Sequence, residues 1–129
     1  MGDIDRGGRP LSPFMIGTYY RPQITSISSI FTRITGNALI VAFLLIAWWF
    51  VAASGAPVGF NRVNGLITSW FGDLVMTLSV WALWYHSLAG LRHLYWDTGR
   101  GLELKTAEAL GWACFVGSAV LTLLTLLLV

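Results

Sequence analysis

The chain of 129 residues is 56% hydrophobic and only 11% charged, carries seven tryptophans and has a mean hydropathy of +0.69. Such usage lies far from that of a soluble domain and describes an integral membrane protein. The net charge of +2 gives no reason to expect nucleic-acid binding, and a single cysteine, Cys114, excludes an intrachain disulfide and a multi-cysteine metal site.

From Met1 to Pro22 the chain holds three of its four prolines and four glycines, which predicts an extended arm over residues 1–24. The stretch lacks a short apolar core with a cleavage site, and Asp3 and Asp5 do not suit an acidic-poor transit peptide. A bacterial inner membrane is the expected location. Thr25 to Ser29 supply helix-capping candidates before the first apolar run. No charged residue occurs from Ile34 to Asn61, from Leu74 to Leu91 or from Ala109 to Val129, and each window offers the roughly 20 residues needed to cross a bilayer. The expected fold is all-α, with membrane spans at about 28–53, 68–94 and 106–129 in a single membrane-anchor domain, 1–129. Ser54-Gly55-Ala56-Pro57 breaks the first span, leaving Ser54 to Ser69 as a loop; Thr98-Gly99-Arg100-Gly101 turns the chain into the third.

Seven of the eight basic residues fall in the N-terminal segment and the second loop, with only Arg62 in the first loop. Basic residues stay preferentially in the cytoplasm. This orientation puts the N-terminus inside and Val129 in the periplasm, with Trp48, Trp49, Trp70, Phe71, Tyr95 and Trp96 as interfacial belts.

The segment from His86 to Asp97 carries the chemistry. His86 lies inside the second span, and ionisable groups at membrane depth are expensive and usually functional. Its imidazole can serve as an axial haem ligand, as part of a proton relay, or as a hydrogen-bonding group between helices. His93, the only other histidine, is seven residues on, on nearly the same helix face and about 10 Å along the axis. Axial ligands approach an iron from opposite sides, so one helix cannot supply both. A second histidine ligand must come from another polypeptide, leaving His93 for a haem propionate, a proton path or plain interfacial anchoring. Gly90, between them on the stripe, leaves room for a flat ligand near the backbone. On the first span Ser29 and Arg33 are four residues apart and share a face. A guanidinium can pair with a propionate and a hydroxyl can donate to a quinone carbonyl, although an arginine at a cytoplasmic helix end is also a routine anchor. Arg92 with Asp97 reads as a surface ion pair, Asp73 as a solvated helix-end residue and Cys114 as a small packing residue.

The pattern His86-x-x-x-Gly90-x-Arg92-His93-Leu94-x-x-Asp97 resembles the signature of the cytochrome b subunit that anchors succinate dehydrogenase, respiratory complex II. Arg9-Pro10-Leu11-Ser12-Pro13, Tyr20-Arg21-Pro22 and Ser29-x-x-x-Arg33-Ile34-Thr35-Gly36 are similar to that family's N-terminal pattern, so the resemblance covers nearly the whole chain. It implies a subunit that, with a second membrane anchor, holds an iron–sulfur subunit and a flavoprotein subunit on the cytoplasmic face while electrons from succinate reach ubiquinone. It further implies that His86 is the axial ligand of a haem b shared with the partner anchor, that Ser29 and Arg33 serve the quinone site, and that Arg33 and His93 lie near the propionates. Two positions depart from the family pattern: Thr32 and Phe14 stand where histidine is usual. A fumarate reductase anchor and a non-redox assembly or transport subunit are the alternative readings.

Overall fold

Four helices account for the computed structural model, which describes Tyr20 and residues 22–128: α1 (Ile24–Ala53), α2 (Pro57–Ile67), α3 (Trp70–Asp97) and α4 (Leu104–Leu128). The fold is all-helical, and α1, α3 and α4 are long and apolar enough to cross a membrane. The expected arm, with Phe14 and most of the N-terminal motif, lies outside the described residues except at its end.

α1 begins at Ile24 rather than near Ser28 because Gln23 caps it. The Gln23 amide donates to Ser26 Oγ at 3.3 Å, and Ser26 Oγ also accepts from the Tyr20 hydroxyl at 2.8 Å. This reciprocal cap satisfies donors that a helix start otherwise leaves orphaned. With 30 residues, α1 is about 45 Å long.

The segment expected as a loop contains a helix. Ala56 is extended, as the residue before a proline tends to be, and Pro57 occupies the first helical turn, where its missing N–H costs nothing. Phe60, Val63 and Ile67 then form an inward stripe, with Val63 buried. Trp49 of α1 holds this helix, donating Nε1–H to Asn64 Oδ1 at 3.1 Å and packing on Phe60 at a ring separation of 5.7 Å. Ser69 caps α3, accepting from the Gly72 amide at 3.1 Å. A Cβ at Gly72 would collide with the Ile67 carbonyl, so only glycine lets α2 end against α3. Asp73 is exposed in the first turn of α3, where a carboxylate complements the helix dipole.

α3 continues through Asp97, and α4 starts at Leu104, slightly ahead of the expected position. Gly99 and Gly101 join them with φ of 75° and 71°, a region that disfavours other residues. The Gly101 carbonyl accepts from Trp96 Nε1 at 3.1 Å. The three long helices alternate in direction and meet along small residues: Ser28, Thr35 and Ala42 on α1, Ala82 and Ala89 on α3, and Gly111, Cys114 and Ser118 on α4. Small residues let helix backbones approach when lipid offers no hydrophobic drive. Large apolar side chains point outward instead, as with Leu44, Phe50, Leu123 and Leu127. One aromatic cluster fills the centre: Tyr85 packs on Phe115 at 4.8 Å and on Phe31 at 6.1 Å, and its hydroxyl donates to the Ser28 carbonyl at 3.0 Å. Cys114 is buried beside Tyr85 and Ala89, as a packing residue would be. Another interhelical bond, Trp84 Nε1 to Thr125 Oγ1 at 2.9 Å, ties α3 to α4.

Candidate functional site

His86 is half-buried on α3 and turned toward α1. Its Nδ1 lies 3.1 Å from the Thr32 carbonyl oxygen and 3.5 Å from Thr35 Oγ1. A carbonyl can only accept, and the Thr35 hydroxyl proton is already directed to the Phe31 carbonyl at 2.7 Å. Both contacts therefore require a proton on Nδ1, which in the neutral ring leaves the lone pair on Nε2. A histidine that ligates a metal ordinarily holds its other ring N–H on such an acceptor, which fixes tautomer and ring orientation.

The imidazole fits because position 36 has no side chain. A Cβ on Gly36 would sit 2.9 Å from His86 Cε1 and 3.4 Å from Nδ1. Gly36 belongs to the motif read on α1, but its role was not legible, because nothing local links it to a residue fifty positions away. Gly90 differs: a Cβ there would meet nothing within 4 Å, so this chain leaves the space over it open. The Gly36→Ala substitution is expected to push the ring off the Thr32 carbonyl while leaving stability within about 1 kcal/mol of the wild type, because the half-buried ring can swing away and alanine is the better helix former. Thermal unfolding of the purified protein beside its visible spectrum checks both effects.

Ser29 and Arg33 share the α1 face that Gly36 presents to His86, with Ser29 half-buried and Arg33 exposed. Helices α1 and α3 run in opposite directions, and Gly36 and His86 are level. Ser29 lies seven residues from Gly36 and His93 seven residues from His86, toward the same end. Each is therefore displaced by about 10 Å, so both stand at one height near the start of α1. His93 is exposed and packs edge-on against Trp96 at 5.3 Å. Thr32, at the departure from the family pattern, donates its hydroxyl to the Ser28 carbonyl at 2.8 Å and gives only its carbonyl to His86. In the other direction from His86, Ala38, Val41, Leu45, Val75, Leu78 and Ser79 line an apolar groove of about 320 Å³ between α1 and α3. Among the described residues no group of three His, Cys, Asp or Glu assembles, so a bare metal-ion site is not built. A single imidazole on a spanning helix, with no other ligand residue gathered round it among the described residues, would suit an iron already held by a porphyrin.

Arg92 corrects an expectation. It is not a surface partner of Asp97: it is 4% exposed, donates Nη1–H to Ser28 Oγ at 2.8 Å, and its guanidinium carbon lies 4.7 Å from the centre of the Trp96 ring. The reason is spacing, since Tyr85, Ala89 and Arg92 fall at i, i+4 and i+7 on one buried stripe. That periodicity was present in the sequence and outweighs the proximity of Asp97.

A model of the succinate dehydrogenase/fumarate reductase transmembrane subunit matches residues 5–125. The chain belongs to this family. It is similar to the succinate dehydrogenase cytochrome b556 subunit of Paracoccus denitrificans, 49% identical over 98% of this chain and 96% of the relative. The corresponding subunit of Rickettsia conorii is 36% identical over 90% of this chain and 89% of its own. The cytochrome b560 subunit of Marchantia polymorpha is 36% identical over 92% and 89%. As a family member the chain is a multi-pass subunit, and its three spanning helices follow one order with the connecting helix α2 between the first two.

Proposed function

We propose that this subunit is the haem b-binding membrane anchor of a succinate:quinone oxidoreductase and forms part of its ubiquinone site. The observation that carries the reading is the His86 imidazole, held at membrane depth with Nδ1–H on the Thr32 carbonyl and Nε2 free to ligate. The relatives' names describe b-type cytochrome subunits of succinate dehydrogenase, which favours this reading over a fumarate reductase anchor or a non-redox assembly subunit.

His86 would hold the iron through Nε2, and a b haem bound there supplies a one-electron centre inside the apolar layer. The chain has two histidines, and His93 sits about 10 Å along the same helix face, so a second histidine for the iron would come from the second membrane anchor. Arg33 stands on the exposed flank of α1 next to His86, where its guanidinium would meet propionate charge. His93, level with Ser29, lies on the propionate side, and the open space over Gly90 leaves that face accessible to the ring. Ser29 donates its hydroxyl to a carbonyl oxygen of the quinone head, and Arg33 stabilises the negative charge that builds there as electrons arrive. The protein's share is to orient the head group and shield it from water.

Basic residues at the start of α1 and between α3 and α4 orient that end to the cytoplasm of a bacterial inner membrane. The iron–sulfur and flavoprotein subunits dock there, and the C-terminus is periplasmic. A reduced-minus-oxidised spectrum of the purified complex tests the reading. A b-type signal is the expected result, and its absence from a complex that still oxidises succinate would remove the haem assignment.

A further inference from the structure

Arg92 is the one charged side chain that is buried among the described residues. The hydrogen bond it makes goes to the neutral Ser28 hydroxyl, and its Nε has no partner among those residues. A guanidinium does not deprotonate in proteins, and neither a hydroxyl nor the Trp96 ring cancels its charge. A buried cation in this state calls for an anion from outside.

The surroundings indicate which anion. Arg92 lines a cleft of about 220 Å³ between α3 and α4 whose walls are Leu88, Leu91, Leu110 and Ala113, with Tyr95 at the mouth. Tyr95 also borders a polar hollow of about 430 Å³ formed by the Gly99–Gly101 turn, with Arg100 and Thr106 on its rim. Arg100 and Glu103 border this hollow on its exposed rim, where both charges are screened, so the buried Arg92 guanidinium carries the main attraction. An apolar trough with the buried Arg92 on its wall thus opens at the end of the helices into a hollow bordered by the Tyr95 phenol, the Thr106 hydroxyl, one guanidinium, Arg100, and one carboxylate, Glu103. Tyr95 lies nine residues after His86, about 180° around the helix at roughly 100° per residue, so this cleft faces away from the side that a second haem-ligating anchor must approach.

We infer that the α3–α4 cleft is a binding site for an anionic phospholipid, with an acyl chain along Leu88, Leu91 and Leu110 and the phosphate at Arg92, Tyr95 and Arg100. Basic pockets between membrane helices at head-group level have this chemistry. The site stands independently of the haem and quinone assignments, since it is read from a different face and tested without turnover.

The intact complex, stripped of lipid in detergent, is titrated with phosphatidylglycerol, with phosphatidylcholine of the same acyl chains, and with inorganic phosphate. Its melting temperature and the lipid it retains in native mass spectrometry are followed. Phosphatidylglycerol is expected to raise the melting temperature by several degrees, as a ligand bound only to the folded state does, while the other two leave it unchanged. Arg92→Gln and Ala113→Phe, the latter filling the trough without touching the Arg92–Ser28 bond, should each lose most of that rise and retain one lipid fewer. An equal response to phosphatidylcholine overturns the proposal, and so does a full response to phosphate alone. A wild-type response from Ala113→Phe overturns it even where Arg92→Gln fails to assemble. Loss of the second anchor from Arg92→Gln, with wild-type lipid retention in Ala113→Phe, would assign the guanidinium to a protein interface instead.

Discussion

Succinate-driven quinone reduction is expected to fall about 10- to 150-fold when Arg33 is replaced by alanine, on the basis of roughly 1.5–3 kcal/mol for a hydrogen bond to a charged group. Arg33 is exposed on the α1 face that carries Ser29 and abuts His86 through Gly36. Its side chain is therefore available to a ligand rather than spent on packing. The Ser29→Ala substitution removes a neutral hydrogen bond of about 0.5–1.5 kcal/mol, so a loss of roughly 2- to 12-fold is expected. Arg33→Lys should recover only part of the rate, since a point charge does not reproduce the planar fork. The control is succinate oxidation by an artificial acceptor that bypasses the membrane site, and it should stay at the wild-type rate. Unchanged quinone reduction in both alanine variants would put the pocket elsewhere.

The second large effect is expected at His86. The His86→Leu substitution keeps the position apolar and half-buried but removes the only imidazole placed against α1, so the low-spin b-type signal should disappear, either with the haem itself or through conversion to a high-spin form. The backbone need not suffer, because the interhelical contacts of α3 at Tyr85, Ala89 and Trp84 do not involve His86. A matching His93→Leu variant should keep the low-spin signal, as its ring faces out against Trp96. If His93→Leu bleaches the signal and His86→Leu spares it, the two roles are exchanged.

The three spans were legible because charge-free windows of sufficient length leave few alternatives in a membrane, and the start of α1 was close because Ser26 belongs to a local cap. α2 escaped because Pro57 was read as a breaker, whereas at the first turn it starts a helix, and because its anchor, Trp49 on Asn64, is tertiary. Within the site, the depth of His86 and the pairing of Ser29 with Arg33 follow from sequence spacing alone. The seat of His86 does not, since it depends on the Thr32 carbonyl and the missing side chain of Gly36 across the α1–α3 seam. Arg92 lay between these cases. Its buried stripe with Tyr85 and Ala89 could be counted, but the Ser28 hydroxyl that receives it, sixty-four positions away, could not.

Near-infrared magnetic circular dichroism of the oxidised complex tests the central claim most directly, because the low-energy charge-transfer band reports the pair of axial ligands. A low-spin haem with two imidazole ligands, one from His86 and one from the partner anchor, is expected, with loss of that band in the His86→Leu complex. A band belonging to any other ligand pair in the wild type, or a bis-imidazole band that survives the substitution, would contradict it.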